Sequence, residues 1–163
     1  MTMYSKVKIG SHPLHVMLVS FPVAFYTATV VCFITYKLNM DNFWFKVAVI
    51  ANCTGFATGA LAAIPGFIDW LNIPKNKMAK KTGLKHMLCN VTALVLFGIN
   101  IYIVCTIENE NAPDVTASIV ITSLGFLLTV VAGFLGWSLV QKHHVGISLT
   151  PQQQQIEPAE GVN

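Results

Sequence analysis

Five histidines, His12, His15, His86, His143 and His144, and one carboxylate, Asp69, are the side chains of this 163-residue chain whose chemistry invites a site. Imidazole ligates iron, copper and zinc, exchanges protons near neutrality, and is oriented through its second ring nitrogen. A carboxylate nearby supplies a further ligand or holds that second nitrogen. Other chemistry is thin. Cys32, Cys53, Cys89 and Cys105 stand singly, without paired spacing, which reads as small buried apolar residues rather than a disulfide or zinc framework. Metalloprotease, nucleophile-elbow, P-loop and dinucleotide motifs are missing. All ten basic residues are lysine, which removes the bidentate guanidinium clamp for phosphate or carboxylate. The sequence therefore indicates neither an enzyme with a nucleophile nor a nucleic-acid partner.

The elements that must carry these residues are set by where charge is missing. Uncharged runs extend over Ile9–Tyr36, Val47–Ile68, His86–Ile107 and Val115–Gln141. Each is long enough to cross a hydrocarbon core of about 30 Å as a helix rising about 1.5 Å per residue. Charged residues make up 10% of the chain and apolar ones 54%, with a mean hydropathy of +0.61. A soluble domain carries roughly a quarter charged residues. The first run has no small-residue cleavage site and is followed by three comparable runs, so it is read as a span and not a signal peptide. The expected fold is all-α: an integral membrane four-helix bundle in up-down-up-down order, one domain over residues 1–146 with spans near 13–36, 46–68, 86–107 and 116–141. The Gln152–Gln155 run with Pro151 and Pro158 makes residues 147–163 a disordered tail.

Lysine placement orients the bundle. Lys6 and Lys8 precede the first span, Lys75, Lys77, Lys80, Lys81 and Lys85 lie in the second connection, and Lys142 follows the last span. Positive residues collect in cytoplasmic loops, so both termini are expected there. Tyr36, Phe43 and Trp44 suit an outer aromatic belt, and Trp70 and Trp137 an inner one. All five histidines and Asp69 then fall at the cytoplasmic boundary, where every span delivers at least one ligand-type side chain to one layer. Bundles build cofactor and metal sites in this manner, from side chains on facing helices. Interfacial histidine also serves simply to cap helices or meet headgroups.

Small residues add to the pattern. Gly136, Ala132 and Gly125 share a face with His143, and Gly55, Gly59, Ala62 and Gly66 form a stripe running towards Asp69. Such stripes let helices approach closely, and a flat macrocycle needs the same clearance. Pro13 suits a first helical turn with Ser11 or His12 as cap, while Pro22 and Pro65 free the carbonyls of Leu18 and Leu61 and are expected to kink their spans. Asn90, one turn beyond His86, is placed to orient its ring or a neighbouring backbone.

Four segments carry a resemblance. His12-Pro13-Leu14-His15 followed by Phe21-Pro22, then Pro65-Gly66-Phe67-Ile68-Asp69-Trp70, Thr82-Gly83-Leu84-Lys85-His86, and Gly133-Phe134-Leu135-Gly136 leading to His143-His144-Val145-Gly146 are similar to the signature blocks of domain-of-unknown-function family 2231, over about Gly10 to Gly146. The resemblance implies a bacterial four-helix protein of the inner (plasma) membrane. Fusion of similar domains to Rieske iron-sulfur domains implies membrane electron transfer. His12, His15, Asp69, His86 and His143 match the family pattern, whereas His144 stands where members commonly have glycine and is left out of the site.

Three functions stay open. The first is a b-type haem module, with iron held by two of His15, His86 and His143, passing electrons to or from a quinone or redox protein. The second is a divalent-metal-binding or transport protein using the histidines and Asp69. The third is a membrane anchor or structural subunit with interfacial histidines. In each the lipid bilayer is the first partner, and a homo-oligomer is compatible with all three.

Overall fold

A computed structural model of the chain describes residues 5–10, 12–75, 77–110, 112–146 and 152. The tail expected to be disordered, and Ser11 as a helix cap, lie outside the described residues apart from position 152. Apolar runs without a polar face have to satisfy every backbone group internally, and they do so as helices. After a two-residue hairpin, β1 (Lys8–Ile9) with β2 (His12–Pro13), come α1 (Leu14–Leu18), α2 (Ser20–Asn39), α3 (Asn42–Leu71), α4 (Met78–Ile107) and α5 (Thr116–Gln141). Leu14–Asn39, α3, α4 and α5 are each long and apolar enough to cross a membrane. The all-α four-helix bundle expected from the sequence is present. In it α2 packs on α3 and α5, and α4 packs on α3 and α5, so the first and third spans stand on one diagonal.

Burial is inverted relative to a soluble protein. In each span's most apolar stretch only 22–28% of residues are buried, and Leu38, Leu61 and Phe134 face outward. That surface is made for lipid. The two ends differ. At the end holding the α2–α3 and α4–α5 connections, Cys32, Phe33, Tyr36, Phe45, Ala48, Val104 and Val115 form a dense core. There the Tyr36 hydroxyl donates to Pro113 O (3.1 Å) and Lys37 Nζ to Asp114 Oδ1 (2.7 Å). Met40 makes the α2–α3 reversal in a left-handed conformation (φ 58), and the Asp41 side chain caps α3 on Phe43 N (2.9 Å).

The prolines shape the other end, with one departure from expectation. Pro13 pairs in β2 and stands before the helix in extended conformation (ψ 123), not inside its first turn. Pro22 lacks the N–H that would bond Leu18 O, and α1 passes into α2 at Val19, itself helical (φ −65, ψ −21), with a long Val23 N–Val19 O bond (3.5 Å). The helix α3 runs through Pro65 uninterrupted. Its C-terminus is locked to the start of α4: Trp70 Nε1 donates to Lys80 O (3.2 Å), and Lys80 Nζ donates back to Trp70 O from 3.9 Å above the indole. A Cβ at Gly83 would lie 2.8 Å from Trp70 Cδ1, so only glycine lets the indole in. Because these contacts recruit Lys80, α4 begins at Met78 rather than at His86.

Candidate functional site

His15 sits in the first turn of α1, and its Nδ1 lies 2.8 Å from Ala62 O on α3. His86 sits on α4, and its Nδ1 lies 2.8 Å from Ala132 O on α5. A carbonyl only accepts, so both rings carry a proton on Nδ1. The Asn90 amide donates to His86 Nε2 (3.1 Å) and to His86 O (2.9 Å). The two rings come from diagonal spans yet approach to 6.1 Å between centroids, at right angles.

Each ring is seated against a glycine one turn past the carbonyl that holds it. A Cβ at Gly66 would stand 2.8 Å from His15 Nδ1 and Cε1, and one at Gly136 would stand 3.1 Å from His86 Cε1. Histidine on one helix, alanine carbonyl on the next, glycine four residues on: the arrangement occurs once in the α1–α2/α3 hairpin and again in the α4/α5 hairpin. The two hairpins thus repeat one contact, and their imidazoles come side by side. The small-residue stripes are largely filled by rings of the chain itself, since Tyr26 occupies the clearance at Gly55 and Gly59 as His15 does at Gly66.

Both histidines line a cavity of about 450 Å³ whose walls are overwhelmingly apolar and include Tyr26, Asn90, Thr129, Gly133 and Trp137. Binding cavities of this size and character, with few convergent polar groups, take ligands of drug or cofactor dimensions. At Gly133 nothing lies within 4 Å of where a Cβ would be.

The other site candidates are elsewhere engaged. Asp69 borders the cavity, but its carboxylate accepts from Ser5 Oγ and Lys6 N (both 2.7 Å) and from Val7 N (3.4 Å), tying the N-terminal arm to α3. The carbonyls of Ala62 and Ala132 orient the rings in its place. His143 lies just beyond α5, with Nε2 3.5 Å from Thr82 Oγ1, one turn from His86, and is not part of the cavity wall. His12 is exposed in β2. His144 is left-handed (φ 50), the conformation that glycine adopts freely, and it lets Val145 N reach Leu139 O (3.0 Å). Among the described residues no three His, Cys, Asp or Glu side chains gather as a metal site. Sequence reasoning missed Tyr26, a lone tyrosine set opposite two glycines, and Trp70 as the lock between α3 and α4.

A family model described as predicted membrane protein (DUF2231) matches residues 11–149. The chain belongs to this family. No curated protein and no solved structure matches it. The four signature blocks of this DUF2231 protein now have physical roles: His15 with Gly66, Asp69 with the arm, Trp70 with Gly83, and His86 with Gly136.

Proposed function

We propose that this protein is a b-type haem module for membrane electron transfer, in which His15 and His86 would hold the iron. One observation carries the reading: two imidazoles on diagonal spans meet across the bundle, each with Nδ1–H given to a backbone carbonyl. Ligating histidines almost always donate their other N–H in this way, which fixes the ring and raises its basicity. Two rings 6.1 Å apart on different helices would suit a single iron held between them. A bare zinc or copper ion takes about three or four protein ligands, whereas haem brings four nitrogens of its own and needs two from the chain. The wall is apolar where a porphyrin would lie, and Lys81 and Lys85 on α4 stand exposed at the same end for its carboxylates. Haem, when bound, accepts and returns one electron at a potential set by ligands and burial. Asn90 donates to His86 Nε2, and would have to release it for that nitrogen to hold iron.

The lysine-rich end is read as cytoplasmic in a bacterial inner membrane, with a quinone or a redox protein as exchange partner. Protein purified from haem-replete cells is expected to sharpen its Soret and α bands on dithionite reduction, to lose them in His15→Ala and His86→Ala, and to keep them in His143→Ala and His12→Ala. Bands that survive both of the first two substitutions would defeat the ligand assignment. A colourless preparation with a stoichiometric divalent ion would make this a metal-binding protein. A colourless, metal-free one whose histidine variants assemble normally would make it an anchor.

A further inference from the structure

Each long helix contributes a buried polar side chain, Tyr26 from α2 at the cavity wall and, deeper in the bundle, Asn52 from α3, Asn100 from α4 and Ser118 from α5, none more than 4% exposed. Tyr26 Oη, Asn52 Oδ1, Asn100 Nδ2 and Oδ1, and Ser118 Oγ have no hydrogen-bond partner among the described residues. Thr29 and Thr122, equally buried, bond carbonyls of their own helices.

Register places Asn52, Asn100 and Ser118 in successive turns from Phe97 onward, whereas Tyr26 Oη stands at Gly59 on the histidine side. Asn52 Nδ2 donates to Phe97 O (3.3 Å). Phe97 stacks on Tyr26 (3.6 Å, 7°) and lies against Gly125. Asn100 is one turn past Phe97, and Thr122 is one turn before Gly125 on the antiparallel helix, so the two are level; Ser118 follows one turn on. A buried polar atom without a partner costs at least as much as a lost hydrogen bond. In mid-bilayer no bulk water makes up the difference.

We infer that this layer is an internal water site: a small cluster held by Asn52, Asn100 and Ser118, on the far side of the Tyr26–Phe97 stack from the histidine cavity. The chemistry is that of water. Asn100 offers a donor and an acceptor, Asn52 an acceptor, and the Ser118 hydroxyl both, and a buried water takes about three such bonds. No carboxylate is present to favour a cation over water. Tyr26 belongs to the cavity wall, with its hydroxyl at Gly59 on the histidine side of the stack. On the far side the layer is shut by the dense core and the Tyr36–Pro113 bond. The layer is thus closed on one side by the Tyr26–Phe97 stack and on the other by the dense core, and its water is held long enough to be detected. This inference stands whether or not haem occupies the histidine cavity.

The test uses the full chain in detergent micelles or vesicles. Long-lived magnetisation transfer from water to the Asn100 side-chain amide is expected by NMR in the unaltered protein. Asn100→Leu is expected to lower the Tm, since it strands the waters on Asn52 and Ser118, and Asn52→Leu combined with it is expected to recover part of the loss. A higher Tm in Asn100→Leu, or no water contact at its amide in the unaltered protein, would mean the layer is dry and overturn the inference. A Tm that rises in NaCl but not in choline chloride, and does so only with Asn100 present, would replace water with sodium.

Discussion

An imidazole needs room as well as a bond, and Gly66 and Gly136 provide it. Gly66→Ala sets a methyl 2.8 Å from a ring that cannot retreat, because Nδ1 is held by Ala62 O. The expected cost is about 1–3 kcal/mol, with loss of haem occupancy. Gly136→Ala, at 3.1 Å, should follow in the same direction but less far. Gly133→Ala meets nothing and should be neutral or stabilising by up to about 1 kcal/mol. Thermal unfolding of the three variants checks the order, and equal damage at Gly133 would remove the idea of seats. Asp69→Asn separates two roles for that carboxylate. If it only holds the arm, amide exchange at Lys6 and Val7 should quicken while the haem bands persist. Bands lost with exchange unchanged would place Asp69 in the cofactor site. The histidines themselves were legible as a layer from their placement at span ends. Their partners were not, because which carbonyl meets which ring depends on the register of neighbouring helices, and a stripe such as Gly125, Ala132 and Gly136 looks the same whether it seats His143 or His86.

Between elements, the end away from the histidines offers a clean titration. Lys37 Nζ, then the Thr116 hydroxyl and N–H, hold the Asp114 carboxyl below its ordinary 3.8, at about 2. A depressed folded value means the link from α2 to the start of α5 contributes fully above pH 3.8 and is lost as pH falls through about 2. The pair is solvent-exposed, so the local structure and not the global fold should respond. The Asp114 carboxyl carbon shift should titrate near 2, and move towards 3.8 in Lys37→Met. An unmoved midpoint would give the effect to Thr116 alone. The helices were readable from absent charge. Their edges were less so: α4 takes in Lys80, Lys81 and Lys85 because Trp70 and Gly83 lock its first turns, a pairing that hydropathy does not register. The carbonyl of Leu18, freed by Pro22, falls where α1 gives way to α2, while α3 continues through Pro65.

At the scale of the whole molecule, eight of the ten lysines flank one set of span ends. Reporter fusions after Asn39 and Glu110 should therefore read as outside the cytoplasm, and fusions after Lys75 and at the C-terminus as inside. A cytoplasmic signal after Glu110 would reverse the assignment. The bundle was legible as a whole because four uncharged runs with short connections leave few other arrangements. The repeat of one contact in its two hairpins was hidden, since His15 with Gly66 and His86 with Gly136 share a geometry while the residues between them differ. The unequal ends have a consequence for access. Four rods bolted together around Phe33 and Tyr36, and hollow around His15 and His86, resemble tongs with a closed hinge and open jaws. The exposed Val16 and Trp137 both line the hollow, so its rim opens to the lipid side rather than through the filled end.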